Sequence, residues 1–183
     1  HYPLRRQRQM CIRDRINSVQ TEKLYQKAID YAQLSGNEIV LDTYCGIGTI
    51  GLYMAPVAKH VYGVEIVPSA IQDAKQNALI NHFDNTTFEC GKAEEVIIEW
   101  KQKGIEPDVI MVDPPRKGCD QVFIETLLEL APKRIIYISC NPSTQQRDAQ
   151  LLANLYYLKE ITPVDMFPHT THIETVALSL IHI

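Results

Sequence analysis

Over residues 20–34 the apolar side chains Leu24, Ala28, Ile29, Tyr31 and Ala32 recur at helical spacing, and Ser35 and Gly36 end the pattern. That predicts an amphipathic helix. The apolar run at 38–42 is too short for a helix and reads as a strand; it enters a glycine turn at 43–48, after which 49–58 reads as helix. The same unit then repeats. Strand 60–64 precedes helix 68–81, which carries Pro68 in its first turn, where the missing N–H has no helical partner to lose. Strand 86–89 precedes helix 93–103, strand 108–112 precedes helix 120–130, and strand 134–139 precedes helix 143–154. Two β-type runs, 156–162 and 175–180, close the pattern around an irregular loop. Alternating strands and helices with short connections predict an α/β fold, a mainly parallel sheet with helices on both faces.

Composition narrows the class. With 183 residues, 45% hydrophobic and 22% charged, the chain has the makeup of one globular domain, which excludes disordered, collagen-like and coiled-coil readings. It has no run of eighteen apolar residues, so no helical membrane span is expected. The five cysteines (Cys11, Cys45, Cys90, Cys119, Cys140) are odd in number and form no C-x-x-C pair. That argues against a disulfide framework or zinc cluster and for a reducing compartment, the cytoplasm. The net charge of −4 hides an asymmetry: residues 1–16 hold five Arg and one Asp, leaving 13 basic against 21 acidic residues, or −8, in the remainder. This opening segment lacks helical or strand periodicity. It reads as a non-native or disordered stretch resembling translated adapter sequence, with a basic arm for nucleic acid as the other reading. Residues 179–183 are likewise expected to be a non-native tail. The domain is then expected over 17–178, as a piece of a longer protein.

Ligands of open parallel sheets bind beyond the C-terminal strand ends, where this chain carries Asp42, Glu65, Asp113 and Cys140. Residues 46–51, GIGTIG, match G-x-G-x-x-G, and Glu65 lies 19 residues beyond Gly46, where an acidic group would meet ribose hydroxyls. Alone, the match leaves open a tight turn without ligand, and Glu65 as a solvated strand-end charge. Asp42 decides between cofactors, since a carboxylate ahead of the loop repels a pyrophosphate and suits a cation. The sulfonium and ammonium of S-adenosylmethionine fit better than NAD, with Asp42, Gly46, Gly48 and Glu65 as candidate binding residues.

Two further strand ends carry candidate chemistry. Asp113-Pro114-Pro115-Arg116-Lys117-Gly118 sets a carboxylate before two prolines that stiffen the backbone. Methyltransferases acting on amino groups usually follow a related Asp-Pro-Pro with an aromatic; here Arg116 and Lys117 stand instead, suited to phosphate or simply solvated. Cys140 ends an apolar strand just before a helix, where helix N–H groups favour a thiolate; an inert buried cysteine is the alternative. Cys45, within the glycine turn, reads as packing or as proximity to the cofactor. Residues 165–174, DMFPHTTHIE, hold two His and two carboxylates at a spacing that fits no ligand pattern, so no metal is expected. Glu174 is a candidate general base.

In order along the chain, Gln20, LDTYCGIGT, VGVE, DPPRKG, SCNP and DMFPHTTHIE resemble the catalytic domain of the RNA uridine C5-methyltransferases over about residues 17–178, the bacterial 23S ribosomal RNA branch in particular. The resemblance implies a Rossmann-like, S-adenosylmethionine-dependent fold. It implies Cys140 as the thiolate that adds to uracil C6, and Glu174 as the base that removes the C5 proton. It also implies a cofactor site lined by Gln20, Tyr44, Glu65 and Asp113, with Glu65 on the ribose, Tyr44 near the methionine end and Asp113 also facing the base. The implied partner is RNA, ribosomal rather than transfer, with the target base extruded into the pocket; a monomer with neither metal nor membrane is expected. Family members carry an RNA-binding β-barrel ahead of this region. An acidic body without it would rely on Arg116, Lys117, Lys133, Arg134 and Arg147 to find RNA, so this chain is expected to bind cofactor but turn over RNA poorly. The alternatives are a truncated, non-catalytic cofactor-binding module, or a methyltransferase acting on another nucleophile or on transfer RNA.

Overall fold

The computed structural model describes residues 17–182; the segment 1–16 set aside on sequence grounds, and Ile183, lie outside them. Helix α1 (Ser18–Ala32) begins two residues earlier than its apolar stripe, because Asn17 caps it by accepting a hydrogen bond from Gln20 N at 3.2 Å. The units β1 (Ile39–Thr43) and α2 (Thr49–Met54), β2 (His60–Glu65) and α3 (Pro68–Ile80), β3 (Thr86–Cys90) and α4 (Ala93–Gln102) follow. Then come β4 (Val109–Val112) and α5 (Gln121–Leu130), β5 (Arg134–Ser139) and α6 (Pro142–Leu152), β6 (Tyr156–Val164) and β7 (Glu174–Ile181). The helix expected over 49–58 stops at Met54 and tightens into a 3-10 turn, Ala55–Val57. Pro56 within that turn has no N–H to continue the α-helical ladder.

The seven strands form one sheet in the order β3-β2-β1-β4-β5-β7-β6, with β1 to β5 parallel and β7 antiparallel between β5 and β6. Alternation along each strand sorts side chains between two layers. Val40, Met111, Ile136 and Leu178 pack under α1 and α2, whereas their neighbours Leu41, Ile110, Ile135 and Ala177 pack under α4 and α5. This double burial is why β4, Val-Ile-Met-Val, is apolar at every position. The edge strand β6 leaves residues 157–161 exposed and carries a register shift between Leu158 and Glu160. Its charged residues and irregular register discourage pairing with another chain. Lys27 pairs with Glu160 at 3.1 Å, and the Tyr31 and Thr162 hydroxyls lie 2.7 Å apart, fastening α1 to that edge.

β7 runs further than its sequence pattern. Ser179, Leu180 and Ile181, set apart as tail residues on sequence grounds, continue the strand and pair with Ile135, Arg134 and Tyr156. Among the described residues, no helix is long and apolar enough to cross a membrane.

Candidate active site

The order of the parallel strands reverses between β1 and β4, and the loops at their C-terminal ends part there. The glycine turn after β1 opens with Tyr44, Gly46 and Gly48 all at positive φ (57°, 54° and 80°). A side chain at Gly48 would meet the Phe88 ring at 2.9 Å. Tyr44 has no such exemption; it holds a left-handed backbone that most side chains avoid, and its ring packs against Phe123 with centroids 5.4 Å apart. Burial pushes its hydroxyl pKa up.

Two carboxylates predicted for the cofactor brace this turn. Glu65 accepts from Gly46 N at 3.2 Å and, through its other oxygen, from Val67 N at 3.1 Å. Asp42 is turned inward and accepts from Gly51 N at 2.8 Å, the last glycine of the motif. A Cβ at Gly51 would lie 2.9 Å from that oxygen, so the third glycine lets the helix reach the strand. Burial raises the Asp42 pKa to about 7, with Asp113 and Glu65 adding to the rise and the Gly51 N–H opposing it. Asp42 acts on the turn from beneath, outside the cavity lining.

That cavity, of about 670 Å³, lies over the ends of β1 to β4 and is lined by Tyr44, Glu65, Glu94, Asp113, Lys117 and Asp120 among others. It is in the size range of small-molecule sites. Of the candidate cofactor residues it gathers Tyr44, Glu65 and Asp113; Gly46 and Gly48 shape the turn behind it, and Gln20 stays in the first turn of α1, outside the lining. The segment after β3, Gly91 to Glu94, forms a wall that sequence reasoning missed. It follows a strand end like the others, and that position was the available signal.

Cys140 follows the last residue of β5 and Glu174 opens β7, so both stand at one end of that strand pair. β5 and β7 pair from Arg134 with Leu180 to Ser139 with Thr175. The ladder ends there, with Cys140 the residue after Ser139 and Glu174 the residue before Thr175, so each lies one residue beyond the last pair. Cys140 is half-buried directly before the α6 cap; Glu174 opens β7 and is 7% exposed. The preceding loop is anchored by buried Met166, while His169 and His172 are exposed. Among the described residues, no group of three or more His, Cys, Asp and Glu is arranged to hold a metal.

Helix α6 also grips the Arg116–Cys119 loop by its main chain. Asn141 Nδ2 and the Thr144 hydroxyl donate to Arg116 O at 3.2 and 3.3 Å, and the Arg147 guanidinium donates to Lys117 O and Cys119 O at 3.1 and 2.9 Å. Fully buried Asp148 accepts from Cys119 N at 2.8 Å, from the Tyr137 hydroxyl at 2.6 Å and from Arg147. Arg147 is thereby committed to the scaffold. Lys133 pairs with Asp108 at 2.7 Å and Arg134 reaches Gln33, both at the start of β5 and away from Cys140 at its end. Of the five cations proposed for RNA, only Arg116 and Lys117 stand at the site with side chains unpartnered among the described residues.

Comparison with known proteins agrees with this architecture. A family model described as tRNA (uracil-5-)-methyltransferase matches residues 5–181. An uncharacterized RNA methyltransferase of Staphylococcus aureus (strain COL) is 78% identical over 163 residues, 89% of this chain and 36% of that protein. One of Staphylococcus epidermidis (strain ATCC 12228) is 77% identical over the same coverage, so the chain spans about a third of the length of these relatives. The crystal structure of Pyrococcus abyssi tRNA (uracil-54, C5)-methyltransferase in complex with S-adenosyl-L-homocysteine superposes with a TM-score of 0.75 at 37% identity, over 86% of this chain and 37% of that one. The N-methyltransferase NodS from Bradyrhizobium japonicum shares the fold alone, with a TM-score of 0.70 at 15% identity over 90% of this chain and 98% of that one. The chain belongs to the tRNA (uracil-5-)-methyltransferase family.

Proposed function

We propose that this chain is the catalytic portion of an RNA methyltransferase that places a methyl group on uridine C5 through a covalent adduct at Cys140. The observation that supports the reading is that Cys140 and Glu174 each lie one residue beyond the last β5–β7 pair, at the same edge of the sheet as the cavity. Cavity size and donor set suit S-adenosylmethionine: Glu65 and Asp113 offer acceptors for hydroxyl and cationic groups, and Tyr44 offers a ring face. When bound, this cofactor supplies an electrophilic methyl group.

Uracil C5 is a poor nucleophile, and Cys140 overcomes that. Its thiolate adds to C6, moving the C5=C6 pair onto C5 as an enolate that takes the methyl. Glu174 then removes the C5 proton; the C–H pair re-forms C5=C6 and the C6–S bond breaks, returning the thiolate. A general base is worth about 10² to 10⁴ in rate, so Glu174→Gln slows release of the adduct by that order while leaving its formation intact. The reaction needs a reduced thiol, in keeping with the cytoplasm.

The sequence resemblance favours ribosomal RNA as substrate. A transfer RNA is the second reading, favoured by the family description and by the substrate named for the archaeal neighbour. Nucleoside mass spectrometry after incubation with S-adenosylmethionine and each RNA tests both. Expected is 5-methyluridine in one RNA with the parent chain and none with Cys140→Ala; methylation that survives in Cys140→Ala, or lands on another nucleoside, overturns the proposal.

A further inference from the structure

Resting on that function, we propose that Gln145 and Thr175 are positioning residues that hold Glu174 within reach of the base attached to Cys140. The ladder between β5 and β7 ends at Ser139 and Thr175. Beyond it the chains part, Cys140 turning into α6 and Glu174 arriving from the loop at 165–173. A strand pair frays where its ladder ends, and here the fraying point adjoins the two groups that must cooperate.

A buried staple closes that point. The Thr175 hydroxyl donates to Gln145 Oε1 at 2.8 Å and lies 3.3 Å from the Ser139 carbonyl. Gln145 Nε2 donates in turn to Tyr137 O at 2.9 Å. Gln145 is 3% exposed and Thr175 5%, so water does not compete for these bonds. Gln145 lies in the first turns of α6, its N–H donating to Asn141 O at 3.2 Å, so the helix that begins beside Cys140 is fastened directly to the residue after Glu174.

The two halves of the reaction depend on this staple unequally. Adding the Cys140 sulfur to C6 does not involve Glu174. Resolution does: Glu174 takes the C5 proton, the C–H pair becomes C5=C6, and the C6–S bond breaks. A misplacement of about 1 Å costs on the order of 10²-fold in rate, and loosening the staple spends that loss on resolution alone.

The test follows covalent protein–RNA adduct on denaturing gels, using the full chain, S-adenosylmethionine and a short uridine RNA with ordinary C5–H. Thr175→Val and Gln145→Leu should accumulate adduct with resolution slowed about tenfold to a hundredfold, while formation stays within twofold. Thr175→Ser, which keeps the hydroxyl, should behave as the parent. Equal slowing of both steps, or no change, overturns the proposal. Variants that lose cofactor binding along with adduct formation mark the pair as a folding element and overturn it too. Failure of the function itself looks different: the parent forms no adduct even with 5-fluorouridine RNA, and the inference falls with it.

Discussion

Asp42 carries a carboxyl that folding removes from water, and its pKa rises from 3.8 to about 7, chiefly through burial. Between those values the unfolded chain has released the proton and the folded one keeps it. Stability therefore falls as pH rises from about 4 to 7, by up to about 1.4 kcal/mol per pH unit, and the loss is complete above 7. Asp42→Asn keeps an acceptor for Gly51 N and carries no charge. Urea unfolding at pH 5, 6, 7 and 8 should show the Asn variant gaining on the parent up to pH 7 and levelling off; a pH-independent difference contradicts this account. Asp148 is held by hydrogen bonds, with four donors built around its carboxylate. Asp148→Ala strands the buried Cys119 N–H and Tyr137 hydroxyl, at about 2–5 kcal/mol for the pair. An unchanged denaturation midpoint would show that the clamp on the Arg116–Cys119 loop holds by other means. Neither role is legible in sequence: Asp42 reads as a cofactor ligand, and Asp148 is one acidic residue on a helix until the loop folds against it.

Elements were far more legible than partners. Strands buried on both faces must be apolar, helices must show one stripe, and glycines and prolines mark the turns, so every expected strand and helix appears in the described residues. The departures have local causes, Asn17 capping α1 and Pro56 tightening the end of α2. Glu65, Asp113 and Cys140 all lie at the C-terminal ends of parallel strands, as the strand pattern implies, and the end of β3, which carries no such motif, supplies Gly91 and Glu94 to the cavity. Lys133 and Arg134 show the converse error. They open the strand that Cys140 follows, and six residues of strand put about 20 Å between them and the site. β7 gives an element-scale prediction: a chain ending at Leu178 loses the pairs of Ser179, Leu180 and Ile181 with β5 and β6. Its thermal midpoint should drop by several degrees, whereas a chain ending at Ile181 should match the parent; equal midpoints for all three would make those residues dispensable.

Over the whole molecule, charge and catalysis pull apart. Residues 17–183 carry a net −8, yet the proposed substrate is a polyanion. Of the five cations proposed for RNA, those left at the active edge among the described residues are Arg116 and Lys117, whose backbone is held by Asn141 and α6. Arg116→Gln and Lys117→Gln should each lower the salt dependence of single-stranded RNA binding by about 0.7 in log–log slope, and Lys133→Gln and Arg134→Gln should leave it unchanged. Equal effects from all four would point to diffuse attraction rather than a site.

The central claim, methyl transfer to uridine C5 through Cys140, is tested most directly by intact-mass analysis after incubation with S-adenosylmethionine and an RNA containing 5-fluorouridine. Fluorine at C5 cannot leave as a proton, so Glu174 cannot release the enzyme. The account predicts a species containing the protein, the RNA and one methyl group, and its loss in Cys140→Ala. The same species persisting in Cys140→Ala, or no adduct from a parent chain saturated with cofactor, would contradict it.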